Sequence, residues 1–307
     1  MKACFFRKYG GPEVLEYGDW PDPTPAPGDV LVDIHAASVN AADWKMRAGQ
    51  YGAQIKLPHV PGRDFSGVVS AVGEGANDFK VGDAVFAVCE VPREGAYAEK
   101  IALRQEIVAR KPEGLSHAQA AAIALAGLTA LISLEDTLKL KAGETILIQG
   151  GAGGVAGFAI ALAKHLGARV ITTASAANHA YVRSLGADEV IDYRTQDFTK
   201  LVSNCDAVFD TAGGDVTDRS FSVLRPGGRL ATVAAGAAAP VSPRSDVTSL
   251  RPKVNRDRPH LDRVAKLAAQ KIVPLPPMVE YALAEAGAAH RVSEARHLRG
   301  KLVLRVR

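Results

Sequence analysis

Cysteine is scarce in this chain, with three in 307 residues, at positions 4, 89 and 205. Spaced so widely, they offer neither a disulfide framework nor a metal-ligand spacing, and they suit a reducing, cytoplasmic compartment. Aromatic residues make up only 6% of the sequence. No run approaches about eighteen consecutive apolar residues, so no membrane span is expected. A short apolar patch near the N-terminus is broken by charge and glycine before a signal-peptide core can form. An excess of one charge is missing too: 37 Lys and Arg against 33 Asp and Glu leave +4. That charge is small and dispersed, which argues against a nucleic-acid partner. No internal repeat and no low-complexity tract is present. What remains is an ordinary soluble composition, 47% hydrophobic and 23% charged, at a length that suggests two domains or one large one.

The stretch that organises the chain runs from residue 143 to 175, GETILIQGGAGGVAGFAIALAKHLGARVITTAS. Residues 145–149 read as a buried strand. The turn Gly150-Gly151-Ala152-Gly153-Gly154 follows, then a helix over 155–166 closed by Gly167, then a second strand over 169–173. A strand, glycine turn, helix and strand in this register form a βαβ dinucleotide site. Read as G-x-G-x-x-A, the fingerprint falls on Gly151, Gly153 and Ala156, with Gly154 and Val155 opening the helix. Glycines allow a pyrophosphate to approach the backbone, and the helix N-terminus offers it free N–H groups.

Residues 1 to about 110 read as all-β, with strands at 30–36, 67–72, 84–88 and 96–103 separated by Gly and Pro turns, a pattern of compact barrels. Ser116 and Gln119 form a capping box before an alanine-rich helix. Further strands are expected at 190–192, 207–210 and 229–233, with helices at 179–185 and 216–224 between them. Such alternation predicts a parallel, doubly wound sheet. Residues 246–254 read as an edge strand, since Pro252 does not suit a central one, and an edge can pair with a second subunit. Residues 261–270 read as a helix, the basic run 251–258 as a solvated loop, and the tail from 301 as a strand returning to the first domain.

Eight segments in order resemble one family: ASVNAADWKMRAG, VPGRDFSGVV, GDAVFA, GLTA, GGAGGV, LGADEVIDY, LRPGGRL and RGKLVLRV. The chain resembles the zinc-free quinone oxidoreductases, the zeta-crystallin-like branch of the medium-chain dehydrogenase/reductase superfamily. The resemblance implies an α/β chain with a GroES-like β-barrel catalytic domain over residues 1–120, completed by 274–307. A Rossmann dinucleotide-binding domain over 121–273 is inserted between them. It also implies a homodimer.

Zinc-dependent relatives carry a cysteine where this chain has Asn40, a histidine where it has Arg63, and a four-cysteine lobe that is absent here. An amide and a guanidinium cannot serve as two of three zinc ligands, so no metal is expected. Without a Lewis acid the suitable acceptor is a quinone or an α,β-unsaturated carbonyl, electrophilic at carbon unaided. Its oxygen then needs preplaced hydrogen-bond donors, and a proton must reach the α-carbon. The resemblance puts Asn40, Tyr51 and Arg63 at the substrate cleft. Asn40 serves there as an amide donor or as a turn-stabilising side chain. Tyr51 serves as a hydroxyl donor or as a packed aromatic. Arg63 either stabilises negative charge or pairs with Asp43 or Asp64. By the same resemblance Lys45 contacts the nicotinamide ribose or stays on the surface. Thr129 lies near the nicotinamide or bonds its own helix.

An NAD site places Asp or Glu at the end of the second strand, where this chain has Thr173-Ala174-Ser175. Hydroxyls at Thr173 and Ser175 can bond a 2′-phosphate, and Tyr193 resembles a further phosphate contact. Relatives place a lysine three residues after the serine, whereas this chain has Asn178, with Arg183 or Arg194 as compensating cations. NADPH is therefore expected before NADH. The competing readings are a non-catalytic NADPH-binding protein, a zinc alcohol dehydrogenase, and a methyltransferase, whose fold has no place for the GroES-like segments.

Overall fold

In the computed structural model the chain divides into two compact units. One holds Met1–Leu125, Arg256–Ala269 and Leu275–Arg307, and the other Ala126–Asn255 and Gln270–Pro274. The structure describes residues 1–50, 55–90, 95–234, 236 and 238–307.

In chain order the elements begin with strands β1 (Lys2–Phe6), β2 (Leu15–Asp19) and β3 (Asp29–Val39), then helix α1 (Ala41–Arg47). Strands β4 (Asp64–Val72), β5 (Ala84–Val88), β6 (Lys100–Arg104) and β7 (Val108–Arg110) follow, then helix α2 (His117–Leu131). The next run is β8 (Thr145–Gln149), α3 (Gly154–His165), β9 (Arg169–Ala174), α4 (His179–Ser184), β10 (Glu189–Asp192) and α5 (Phe198–Leu201). It continues through β11 (Cys205–Asp210), α6 (Asp215–Ser220), β12 (Leu224–Thr232) and β13 (Thr248–Leu250). The chain closes with α7 (Arg258–Ala269), β14 (Met278–Ala282), α8 (Ala286–Glu294) and β15 (Lys301–Arg305).

The first unit is built on a seven-stranded sheet in the order β14-β15-β3-β4-β5-β7, with β6 also paired to β3. The expected return of the C-terminal tail is seen directly: β15 pairs antiparallel with β3, Leu302 opposite Val39. Val30, Val32, Ile34, Phe65, Val85, Leu302 and Leu304 fill its core. Two local readings change. The helix α1 interrupts the expected all-β run, started by Asp43, whose carboxylate accepts from the Asn40 N–H at 2.8 Å. The expected strand over 96–103 is split, because Ala98 bridges to Ala3 of β1 while only the residues from Lys100 onward join β3.

The second unit is a six-stranded parallel sheet, ordered β10-β9-β8-β11-β12-β13. Leu147, Ile171, Val208, Phe221 and Leu230 form its core. The chain enters at β8, winds outward through β9 and β10, then crosses back to β11. The switch point therefore lies between β8 and β11, where doubly wound sheets bind ligands at the carboxyl ends of their strands. β13 is an outer strand, as expected, but runs only from Thr248 to Leu250 before Pro252.

The capping box before α2 is present, with Ser116 N–H donating to Gln119 Oε1 and Gln119 N–H to Ser116 Oγ. With the π-helical turns that follow, His117–Thr137 is long and apolar enough to cross a membrane by composition. The sequence reading missed this, having counted only unbroken apolar runs. Most of the helix is buried inside the protein, as a core helix is.

The basic run 251–258 is not a solvated loop. Arg251 donates to Thr232 O at 2.6 Å. Arg258 donates to Val108 O and Gln105 O and pairs with Asp78. Both ends are tied down because a guanidinium can satisfy several backbone carbonyls at once.

Candidate active site: a nucleotide turn and a buried polar cluster

The glycine turn lies at the carboxyl end of β8, beside the switch point. Gly150 has φ +77°, a conformation glycine adopts without steric cost. Gly151 is pressed onto β9, so that a Cβ there would lie 2.3 Å from Thr172 Oγ1. At Gly153 nothing comes nearer than 3.5 Å to a built Cβ. Gly153 is also the N-cap of α3, and no side chain caps that helix. The first-turn N–H groups of Gly154, Val155 and Ala156 have no acceptor within the helix, so the cradle suits the pyrophosphate of a dinucleotide.

Thr173 does something other than expected. Its hydroxyl donates to Gln149 Oε1 at 2.7 Å and accepts from the Gly150 N–H at 3.1 Å. It therefore braces the turn and is not turned toward a 2′-phosphate. Gln149, the last residue of β8, is a site residue the sequence reading passed over; its amide nitrogen donates to Ser220. Ser175 follows β9, only 8% exposed, and its Oγ accepts from Asn178 Nδ2 at 3.1 Å. Tyr193 follows β10 and is half exposed. Thr129 is buried in α2, where its carbonyl accepts from the Ser133 hydroxyl at 2.7 Å.

In the other unit Asn40 belongs to a buried ionic cluster. Its amide nitrogen donates to Asp64 Oδ1 at 2.7 Å and to Ser38 O at 3.4 Å. Its oxygen accepts from Lys301 Nζ at 2.6 Å. No amide hydrogen is left for a substrate oxygen, which corrects the expected donor role. Asp64 also accepts from Ser38 Oγ and the Leu125 N–H. Three donors and no acceptor face it, an arrangement that fits a carboxylate. Burial pushes the Asp64 carboxyl up and the Lys301 ammonium down, and each charge partly offsets the other's shift. The ammonium bonded to Asn40 places positive charge where zinc-dependent relatives hold a ligand cysteine.

Arg63 is half-buried just before β4; burial, with the Arg63 charge nearby, holds His59 down to about 4. Lys45 lies on α1 with its ammonium 5.7 Å from the Trp44 ring centroid. Tyr51 lies outside the described residues. Among the described residues no three His, Cys, Asp or Glu side chains form a group that could hold a metal ion.

A second chain of buried groups anchors α1. Arg47 Nη1 lies 3.1 Å from His290 Nδ1. Arginine only donates, so Nδ1 accepts and Nε2 carries the proton. Nε2 then donates to Tyr97 Oη at 3.2 Å, and the Tyr97 hydroxyl donates to Asp43 Oδ2 at 3.0 Å. Glu294 pairs with Arg47. Neither arginine nor histidine in this chain was visible as a site residue, because nothing local marks them.

Burial, with Arg47 beside it, lowers His290 to about 3. From pH 6.5 down toward 3 the unfolded chain binds a proton that the fold refuses, so stability falls as pH falls. At about pH 5 the cost is about 2 kcal/mol relative to about pH 7.5. His290→Gln keeps an acceptor for Arg47 and a donor for Tyr97. Urea unfolding at the two pH values should show the variant losing about 2 kcal/mol less than wild type on acidification; equal losses would mean that His290 does not titrate as its burial requires.

The comparisons with known proteins agree with this geometry. The alcohol dehydrogenase GroES-like domain profile matches residues 26–114, and one described as zinc-binding dehydrogenase matches 185–304. The second name rests on a region that contains neither Asn40 nor Arg63. The quinone oxidoreductase of Pseudomonas aeruginosa is 36% identical over 99% of both chains. The chloroplastic NADPH-dependent alkenal/one oxidoreductase of Arabidopsis thaliana is 35% identical, covering 99% of this chain and 79% of the relative. The Escherichia coli quinone oxidoreductase, solved in complex with NADPH, superposes with a TM-score of 0.92 at 29% identity over 100% of both chains. With relatedness that spans the barrel and the nucleotide sheet alike, the chain belongs to the quinone oxidoreductase branch of the medium-chain dehydrogenase/reductase superfamily.

Proposed function

We propose that this protein is an NADPH-dependent oxidoreductase that reduces a quinone or the β-carbon of an α,β-unsaturated carbonyl without zinc. The observation that carries this is the uncapped α3 N-terminus behind the glycine turn, followed at the end of β9 by Ser175 in place of a carboxylate. NADPH supplies the hydride when bound. The N–H groups of Gly154 and Val155 hold its pyrophosphate, Gly151 and Gly153 shape the turn that lets it approach, and Lys45 and Thr129 are assigned to its nicotinamide end. Ser175 donates toward the 2′-phosphate beside Tyr193. Arg63 is assigned to the negative charge that develops on the acceptor oxygen, and Tyr51 to the same oxygen or to the proton. Asn40 acts one step back, fixing Lys301 and Asp64 and with them the start of α1.

Two further readings accompany this one. A second copy pairs along the open edge of β13, giving a homodimer. Three buried cysteines fit a reducing, cytoplasmic setting, with Cys4 and Cys205 pushed up to about 12 by burial.

The test is NADPH oxidation against a panel of enones and quinones, with and without a strong zinc chelator. Turnover with at least one acceptor class, unchanged by chelator, is the expected result. Tight NADPH binding with no turnover would favour the non-catalytic alternative, and loss of activity with chelator would remove the metal-free part.

A further inference from the structure

Selection of a 2′-phosphate over a 2′-hydroxyl calls for a cation near the end of β9. The register of the sheet shows where to look. Asp192 lies opposite Ala174 in the parallel β9–β10 pair, so Ser175 and Tyr193 leave the sheet side by side. Ser175 Oγ has its acceptor site filled by Asn178, which leaves its own hydrogen to donate outward. A hydroxyl donor alone does not separate a ribose 2′-hydroxyl from a 2′-phosphate, since both accept hydrogen bonds. A dianionic phosphate is separated by a positive charge.

The candidates around this strand end can be reduced to one. Asn178 is neutral and committed to Ser175. His179 holds its Nε2 3.3 Å from Ala174 O, on the backbone it follows. Arg183 sits in the last turn of α4, after the crossover has carried the chain back along the sheet from the strand ends. Arg194 remains. Its guanidinium carbon lies 5.9 Å from the Tyr193 ring centroid. Its backbone N–H is fixed by Asp192 Oδ1 at 3.0 Å, so the nearest carboxylate is turned to the backbone. Arg194 is exposed and forms no ion pair with a carboxylate among the described residues. Stacking on an aromatic ring restricts the guanidinium without consuming its N–H groups, which suits a phosphate fork.

We propose that Arg194, carried on Tyr193 beside Ser175, is the residue that selects NADPH over NADH, and that Asn178 positions Ser175 instead of touching the phosphate. This rests on the reductase reading above. The experiment is titration of NADPH and NADH into wild type, Arg194→Ala and Arg194→Ala/Asn178→Lys, with affinities read by calorimetry. Arg194→Ala is expected to lose about tenfold in NADPH affinity while NADH affinity stays within about twofold. The wild-type preference for NADPH should weaken as salt rises, and less so in the variant. Adding Asn178→Lys should restore NADPH affinity by supplying a charge next to Ser175, which Asn178 touches. Arg194→Ala keeping NADPH affinity within about threefold of wild type, or losing NADH in parallel, overturns the assignment. Because the side chain is exposed, the thermal midpoint of Arg194→Ala should match wild type, which separates binding from folding. Wild type that binds neither nucleotide would overturn the reductase reading itself.

Discussion

Gly151→Ala is expected to lose nucleotide binding and stability together. The added Cβ would sit 2.3 Å from Thr172 Oγ1 and 3.2 Å from Ile160 Cδ1. Thr172 cannot swing aside cheaply, because it is buried and its hydroxyl donates to Ile148 O at 2.6 Å within the β8–β9 pair. The turn must then lift off β9, breaking the Gly151 N–H bond to Thr173 O at 2.9 Å. Overpacking of this kind costs about 1–3 kcal/mol of stability. The lifted turn also misplaces the amides that face the pyrophosphate. Losing charge-assisted contacts of about 1.5–3 kcal/mol amounts to a drop on the order of ten- to a hundredfold in NADPH affinity. Calorimetric titration and urea unfolding measure the two effects. Gly151→Ala/Thr172→Ala makes room for the methyl group and should recover most of both, a coupling that a simple loss of two residues does not give. A Gly151→Ala protein that binds NADPH as wild type does would remove the turn from the site.

Lys301→Met is expected to destabilise the barrel unit severely. Lys301 is 5% exposed and bonds Asn40 Oδ1 and Val39 O. Without it Asp64 keeps three hydrogen-bond donors but loses the Lys301 charge that offsets its burial. Removing one partner of a buried pair costs about 3–5 kcal/mol, because the other charge is left uncompensated. Asp64 can escape by taking up a proton, but the proton would then compete with the Ser38, Asn40 and Leu125 donors. Asp64→Asn/Lys301→Met removes both charges and should recover a large share of the loss, read by urea unfolding of the single and double variants. If Lys301→Met alone were as stable as wild type, Asp64 and Lys301 would not form an ionised pair and the electrostatic account of Asn40 would fall with it.

The two variants also mark the boundary of what was legible. The contacts of Gly151 itself, with Ile160, Thr172 and Thr173, are all made within about thirty residues: an apolar strand, a turn, a helix and a strand that return on one another. Period and glycine placement record such local closure, and the strand at Thr145–Gln149 and the helix from Gly154 fell where they were expected. Thr173 was misread because its strand position gives its face but not the partner it meets there. Lys301 looked like the polar member of an alternating tail, KLVLRV, until strands on both sides enclosed it. Asn40 was read from its own segment and Arg47 was not singled out, because their partners lie 261 and 243 positions away.

By itself the sequence determined the class of fold, the place of the nucleotide turn and the replacement of zinc ligands by an amide and a guanidinium. Each of these depends on residue type and short-range spacing. The tertiary structure alone decided that Asn40 is tied into an Asp64–Lys301 cluster, that Thr173 braces the turn, and that Tyr193 leaves the sheet beside Ser175. Burial of a charge and the direction of a hydrogen bond are properties of the assembled neighbourhood. No local pattern encodes them, because the groups that satisfy a buried polar atom are recruited from wherever the folded chain brings them.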